Sequence, residues 1–212
     1  MEKVIEYRGV EDVVIAEILT DDNDTDSGYT FGPVESLLPV AEINKTTETS
    51  TETRHYDNRP AITIHGEGAD EIGIIGAGML LEKIAKITGK SYDVTTGAFV
   101  DSQIQEKYYA LGYKTKDTDG KYRYVWRFKG TFAIPDENHK TTDGSADANG
   151  TELTYTGIYT THKFAKGWYD GSTWHPGPAK GLIVSDREGL ADLTNFFKTV
   201  TTPDTLTAKK AG

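Results

Sequence analysis

Apolar and polar residues alternate along a stretch near the middle of the chain. Over residues 122–134, every even position is aromatic, glycine or isoleucine, and most odd positions are polar or cationic. A period of two over this length is typical of a strand that has one face in the core. The pattern therefore predicts a strand with an aromatic face and a basic face, and Trp126 and Phe128 are its predicted core anchors.

A shorter alternation over residues 109–113 precedes this strand, and Asp-Thr-Asp-Gly at 117–120 separates the two. Gly120 can adopt the positive φ that closes a tight turn, and the aspartate side chains can accept hydrogen bonds from nearby backbone. These features predict a long antiparallel hairpin at the centre of the fold.

Residues 44–55 contain no large apolar side chain, although they are rich in threonine, which favours strands. A strand that is polar on both faces does not belong to the core of a monomer. Two interpretations remain open: a surface loop, or a projecting hairpin or arm over about residues 39–60 that meets water and other copies. The candidate contact residues of such an arm are Thr46, Thr47, Glu48, Thr49, Ser50, Thr51, Glu52 and Thr53.

Residues 80–89 predict an amphipathic helix that ends at Gly89, because apolar side chains recur there at helical spacing. Gly76 and Gly78 precede it in a G-x-G pattern typical of dinucleotide-binding turns. Leu81 replaces the third glycine of that pattern, however, and no second parallel strand with an acidic end follows. A tight turn from strand to helix is the favoured interpretation, and an oxidoreductase would require nucleotide binding.

Two further features lie towards the C-terminus. Residues 185–188 fit a capping box before a short apolar-sided helix. Trp168, Tyr169 and Trp174 could form a platform for stacking on sugars, but packing as a lid over the core is favoured.

Together these patterns predict a mainly β fold of two packed antiparallel sheets, sandwich-like or barrel-like. One flanking α-helix, a long projecting polar hairpin or loop, and a short C-terminal helix complete the prediction. A chain of 212 residues can form one all-β domain, here expected over residues 1–202. Residues 203–212 are expected to be a flexible tail.

Charge is distributed unevenly within a chain of net charge −10. Residues 1–57 hold 14 acids and 4 bases, whereas residues 107–129 hold 7 bases and 2 acids. The basic strand face, which carries Arg123, Arg127 and Lys129, could be a solvated face, a nucleic-acid patch or one half of a contact between copies. An acidic chain disfavours nucleic-acid binding, and the acidic N-terminal quarter favours the contact between copies.

No pattern of catalytic or ligand-binding residues stands out. The chain has no cysteine, its five histidines form no H-x-x-x-H or H-E-x-x-H pattern, and neither a G-x-S-x-G motif nor a complete P-loop occurs. We therefore expect no catalytic residues, no cofactor and no metal site. The N-terminus has no basic region followed by an apolar core, and no apolar run approaches a membrane span, so we expect a protein made in a cytoplasm without membrane contact.

The central hairpin and several other segments, in order, resemble the major tail protein family of bacteriophages with long, non-contractile tails. The segments that carry the resemblance are LGYKTKDTDGKYRYVWRFKGTFAIPDE at 111–137, Gly-Val-Glu-Asp-Val-Val at 9–14, Tyr-Thr-Phe-Gly-Pro at 29–33, His-Tyr-Asp-Asn at 55–58 and the helix-like residues 80–89. Together they span most of the first 160 residues.

The resemblance implies a structural subunit that assembles into stacked, hexameric rings and forms the tube of a virion tail or of a headless, tail-like bacteriocin. It implies assembly in the cytoplasm of a host bacterium, an arm between successive rings, and DNA as a passenger only. It also implies tape measure, tail terminator and distal tail proteins as partners. The alternative is a monomeric β-sandwich module that binds carbohydrate through its Trp and Tyr cluster.

Overall fold

The mainly β, antiparallel fold is confirmed by a computed structural model, which describes residues 4–22, 28–135 and 150–209. In these residues, one nine-stranded sheet, two two-stranded sheets and one α-helix are present. The strands are β1 (Tyr7–Asp21), β2 (Tyr29–Phe31), β3 (Glu35–Ser36), β4 (Val40–Tyr56), β5 (Arg59–Gly76), β6 (Ser91–Asp93), β7 (Ala98–Val100), β8 (Tyr109–Asp117), β9 (Tyr122–Phe132), β10 (Thr151–Ile158), β11 (Phe164–Tyr169), β12 (Trp174–Gly177) and β13 (Gly181–Ser185), and the helix is α1 (Leu81–Thr88).

The predicted central hairpin is confirmed as β8 and β9, which pair antiparallel in the middle of the large sheet. Gly120 closes the turn with φ 83°, a conformation that glycine adopts without a steric penalty. The strand order is β2-β1-β8-β9-β10-β5-β4, with β3 also paired to β1. Strand β13 pairs with the first half of β9, and β10 pairs with its second half.

The large sheet has a hydrophobic core on each face. Strands β1 and β4 stand second and seventh in the strand order, yet they are in contact, so the sheet curls. One core lies inside the curl and includes Ile15, Ile74 and Tyr155. The other lies on the outer face, where Trp126 and Phe128 are fully buried. The two sequence-predicted anchors are thus core residues. A single hydrogen-bonded sheet contributes side chains to both hydrophobic cores.

Helix α1 is the predicted amphipathic helix, and Gly89 ends it with φ 68° in the left-handed region. The Gly89 carbonyl oxygen accepts a hydrogen bond from the Gln105 backbone, 3.0 Å away. Gly76 ends strand β5, so the G-x-G sequence leads directly from a strand towards the helix. The interpretation as a strand-to-helix turn is confirmed.

Strands β4 and β5 form a hairpin that extends beyond the rest of the sheet. Strand β10 pairs with β5 only from Asp70 to Gly76, whereas β4 and β5 pair up to Tyr56 and Arg59. Every residue from 48 to 67 is exposed. We call residues 48–67 the arm. At its tip, Asp57 and Asn58 have φ of 50° and 60°, as a tight two-residue hairpin turn of type I′ requires.

The C-terminal region differs from the prediction in two ways. Residues 194–200 form successive turns instead of a short helix, and Gly189, with φ 63°, interrupts the segment before them. Residues 203–209 pack onto the body instead of forming a free tail, because Leu206 contacts the outer core and the Lys209 backbone donates to the Leu190 carbonyl. Residues 210–212 lie outside the described part of the chain.

Candidate assembly surface

The arm is a two-stranded ribbon whose two faces differ. Directly opposed residues on paired strands point to the same face, and neighbours along a strand point to opposite faces. Glu52 is opposite Ile64 and Arg54 is opposite Ile62, so these four side chains share one face. Ile62 and Ile64 are 49% and 45% exposed, so two large apolar side chains lie side by side at the surface. We call this surface the apolar face of the arm.

The other face of the arm is polar. Thr51 is opposite His65 and Thr53 is opposite Thr63, and the Thr51 hydroxyl lies 3.1 Å from His65 Nδ1. The candidate arm residues thus lie on β4, where Thr47 is half-buried and the others are exposed. The sequence left a surface loop and a projecting hairpin open for the polar segment, and its interpretation missed the isoleucines because they belong to the partner strand β5. The alternation over residues 61–65 was the signal that could have found them.

A buried carboxylate anchors the base of the arm. Asp70 is 2% exposed, and its carboxylate lies 3.1 Å from Lys45 Nζ, 3.4 Å from Lys180 Nζ and 3.5 Å from Arg127 Nη1. The Thr47 hydroxyl also donates to it at 2.9 Å. We call Asp70 and these three cations the ion cluster. It joins β4, β5, β9 and the residue before β13 at the point where the arm leaves the sheet.

The electrostatic environment favours the ionised form of Asp70. Burial alone would raise the pKa of this carboxyl group. Hydrogen bonds from Thr47 and Lys45, together with the charges of Lys45 and Lys180, outweigh burial and lower its pKa below the usual 3.8. Lys180 also donates to Glu67 at 2.6 Å, so the cluster reaches the first residue of the arm on the β5 side.

Each sequence-predicted interface cation has a carboxylate partner within its own chain. Arg127 pairs with Asp70, and Lys129 Nζ lies 2.6 Å from Asp21 Oδ2. Arg123 Nε lies 3.7 Å from the buried Asp117 carboxylate. The fold itself thus supplies acids for this basic face, and a contact of the three cations with a neighbouring copy stays a prediction.

The Trp and Tyr cluster also lies differently from the favoured expectation. Trp168, Tyr169 and Trp174 are 54%, 52% and 50% exposed on the hairpin of β11 and β12, so they do not form a lid over the core. Trp168 stacks on His175 with ring centroids 4.3 Å apart, whereas Tyr169 faces Trp174 at 5.2 Å. Because these two pairs occupy neighbouring positions, they lie on opposite faces of the hairpin. A single broad stacking platform is not formed.

The inside of the curled sheet opens into a groove beside the base of the arm. Its volume is about 570 Å³. Apolar side chains from β1, β4, β8, β9 and β13 line it. The polar and charged lining residues are Glu42, Lys45, Thr115, Arg123 and Arg127. The apolar lining includes Val10, Ile43, Tyr113 and Val125. We call this cavity the inner groove. Within the described residues, Arg127 Nε is buried and has no hydrogen-bond partner.

Neither a membrane-spanning helix nor a metal-binding cluster is found in the described chain. No helix in residues 4–22, 28–135 and 150–209 has the length and apolar character needed to cross a membrane. The same residues contain no group of three or more His, Asp or Glu side chains placed to hold a metal ion. Three surfaces of the described chain have been identified above: the arm, the inner groove and the exposed aromatic hairpin.

Comparison of the chain with models of known protein families found no match, and comparison with curated proteins found none either.

Proposed function

We propose that this protein is a structural subunit that assembles with copies of itself into the tube of a long, non-contractile phage tail or a tail-like bacteriocin. The arm is the observation that carries the proposal. It exposes every residue from 48 to 67, and its tip turn holds it as a formed hairpin. At about 3.3 Å per residue, its nine residues on β4 give a reach of about 30 Å, enough to contact another molecule.

The energetics of a hairpin support a role in contacts between molecules. An isolated two-stranded hairpin is at best marginally stable in water, because ordering each residue costs about 1–2 kcal/mol of backbone entropy. The arm offsets little of that cost within the monomer, since its isoleucines stay about half exposed. A second molecule that covers the arm would supply the missing burial.

Open strand edges are a second feature that suits assembly. In the described residues, β13 pairs only with β9, and the part of β5 within the arm pairs only with β4. Unpaired edges invite pairing with another chain, and closing a sheet into a barrel removes them. The family resemblance supplies the hexameric ring, the stacking of rings and the tail proteins as partners. The net charge of −10 suits a conduit through which DNA passes without being held.

The test is the assembly state of purified protein, measured by light scattering and by negative-stain electron microscopy at increasing concentration. We expect rings or hollow tubes. A monomer of 23.3 kDa at every concentration, without ordered particles, would contradict the proposal. Lys163→Ser, at an exposed position outside the arm and the inner groove, serves as a control for general effects of surface substitution.

A carbohydrate-binding module is the second candidate, and the half-exposed Trp168 and Trp174 favour it. Aromatic rings at the surface offer faces on which sugars can stack. The two rings lie on opposite faces of the β11–β12 hairpin, so each would serve a separate, small contact. A glycan array tests this function. A protein that stays monomeric and binds glycans, and that loses this binding in both Trp168→Ala and Trp174→Ala, would favour carbohydrate binding over assembly.

A further inference from the structure

We infer that the apolar face of the arm of one copy docks into the inner groove of a second copy. This inference rests on the proposed self-assembly and adds the two surfaces that meet. The apolar face carries Ile62 and Ile64, which are 49% and 45% exposed and have no covering element in the described residues. Apolar side chains at such a site are driven to find an apolar partner surface.

The inner groove has the matching chemistry. Val10, Ile43, Tyr113 and Val125 provide apolar walls for aliphatic side chains. Arg127 lines the same groove, and its Nε is a buried donor without an acceptor in the described residues. Buried donors are nearly always paired in folded proteins, because an unpaired one forfeits its hydrogen bond to water. Among the lining residues, the acid Glu42 is outnumbered by the cations Lys45, Arg123 and Arg127. The groove therefore suits an apolar ligand that brings an acceptor.

The apolar face of the arm brings that acceptor. Glu52 is directly opposite Ile64, so a carboxylate lies beside the aliphatic side chain. Its partner Arg54 is 3.3 Å away, and both side chains are more than half exposed. Exposed ion pairs of this kind contribute little to stability. Glu52 can therefore exchange Arg54 for Arg127 at small cost when the isoleucines enter the groove.

The arm that enters the groove must belong to a different copy of the chain. Ile43 and Lys45 of β4 line the groove, and the same strand continues into the arm. Pairing of β4 with β5 runs from the Val40–Gly76 pair to the Tyr56–Arg59 pair at the tip. An arm held extended along this ladder cannot fold back onto the groove at its own base. Docking is therefore head to tail, and a head-to-tail contact repeats from copy to copy and builds a ring or a filament.

Disulfide trapping tests this contact, because the chain has no natural cysteine. Ile64→Cys and Thr115→Cys are made as separate full-length proteins, mixed under assembly conditions and oxidised. The matched control is Thr63→Cys, which lies next to Ile64 on β5 but on the opposite face of the arm. Light scattering on each mixture before oxidation reports assembly independently of the cross-link.

We expect the Ile64→Cys and Thr115→Cys mixture to give a reducible cross-linked dimer, and the Thr63→Cys mixture to give much less. Assembly with equal or no cross-linking from the two arm positions would overturn the docking inference and leave the proposed function standing. Failure of the wild-type protein to assemble at any concentration would overturn both. Selective cross-linking that is abolished by Glu52→Lys, with folding unchanged, would assign the acceptor role to Glu52.

Discussion

The Arg127 guanidinium lies 3.5 Å from the Asp70 carboxylate and links the central strand β9 to the base of the arm. Asp70 also meets Lys45 on the other strand of the arm, so one carboxylate holds both arm strands against the body. A largely buried ion cluster thereby ties the base of the arm to the body. A change at either residue should affect the fold first and assembly second.

Asp70→Asn should lower the free energy of unfolding at pH 7 by about 3–5 kcal/mol, because it leaves the largely buried Arg127 without its counter-ion. The pKa of Asp70 is below its usual 3.8 in the folded protein. The charge of Asp70 therefore stabilises the fold fully at pH values above 3.8, the usual pKa that applies to the unfolded chain. This stabilisation is lost as the pH falls below 3.8 and through the lowered pKa of the folded protein. Urea unfolding at neutral and acidic pH measures both effects.

The control for this experiment is Glu52→Gln, which removes a carboxylate that is 67% exposed. Its unfolding free energy should stay within about 0.5 kcal/mol of wild type, as for most surface substitutions. The free energies of unfolding of wild type and Asp70→Asn should differ less at pH 3 than at pH 7. An equal difference at both pH values would show that the charge of Asp70 is not what stabilises the base of the arm.

Arg127→Glu should destabilise the monomer itself by about 3 kcal/mol or more, because it brings a second carboxylate beside buried Asp70. The sequence alone favours the opposite expectation, namely a folded monomer with weakened assembly. Arg54→Glu is the matched charge reversal at an exposed site and should change stability by less than about 1 kcal/mol. Thermal unfolding of both variants measures this difference. Equal melting temperatures would show that Arg127 does not belong to an ion cluster that stabilises the fold.

Local patterns were sufficient to predict the elements that depend on neighbouring residues. The two-residue period around Trp126 identified β9, and Gly120 and Gly89 marked a turn and a helix end where a positive φ is required. The prediction of a short C-terminal helix was wrong, although the apolar residues recur there at helical spacing. Phe196 and Val200 instead pack onto the outer face of the sheet, so tertiary packing overrode the local pattern.

The ion partners could not be predicted because they are distant in sequence. Lys129 and its partner Asp21 are 108 residues apart, and no local pattern specifies such a pair. The charge pattern of β9 therefore identified a basic face but not the intrachain acids that pair with it. The apolar face of the arm was missed for a similar reason, since Ile62 and Ile64 become an arm surface only once β5 pairs with β4 beyond Asp70.

Trp126→Ala and Phe128→Ala should each lower the free energy of unfolding by about 3–5 kcal/mol, because both side chains are fully buried. Trp126 also loses a hydrogen bond from Nε1 to the Phe196 carbonyl, 2.9 Å away. Trp168→Ala, at a 54% exposed position, is the control and should cost less than about 1 kcal/mol. Chemical denaturation measures all three, and wild-type stability of either core variant would contradict the assignment of the outer core.

Removing the arm should separate assembly from folding. The cut must shorten both strands, because residues 45 and 47 contact Asp70 and belong to the base. Deleting residues 50–55 and 60–66 keeps the pair Thr49 and Glu67 next to the natural tip turn. Since residues 48–67 are exposed, the free energy of unfolding should stay within about 1 kcal/mol of wild type, as is usual for shortened surface loops.

Assembly of the shortened protein should be lost or stop at single rings, because the head-to-tail contact requires Ile62 and Ile64. A full-length Thr51→Ser, Thr53→Ser variant is the control, since it changes only the polar face and should still assemble. Negative-stain images and light scattering report the outcome for both proteins. Long tubes formed by the shortened protein would place the contacts between copies on the body, at the open edges of β13 and β4, and would leave the arm without a role in tube growth.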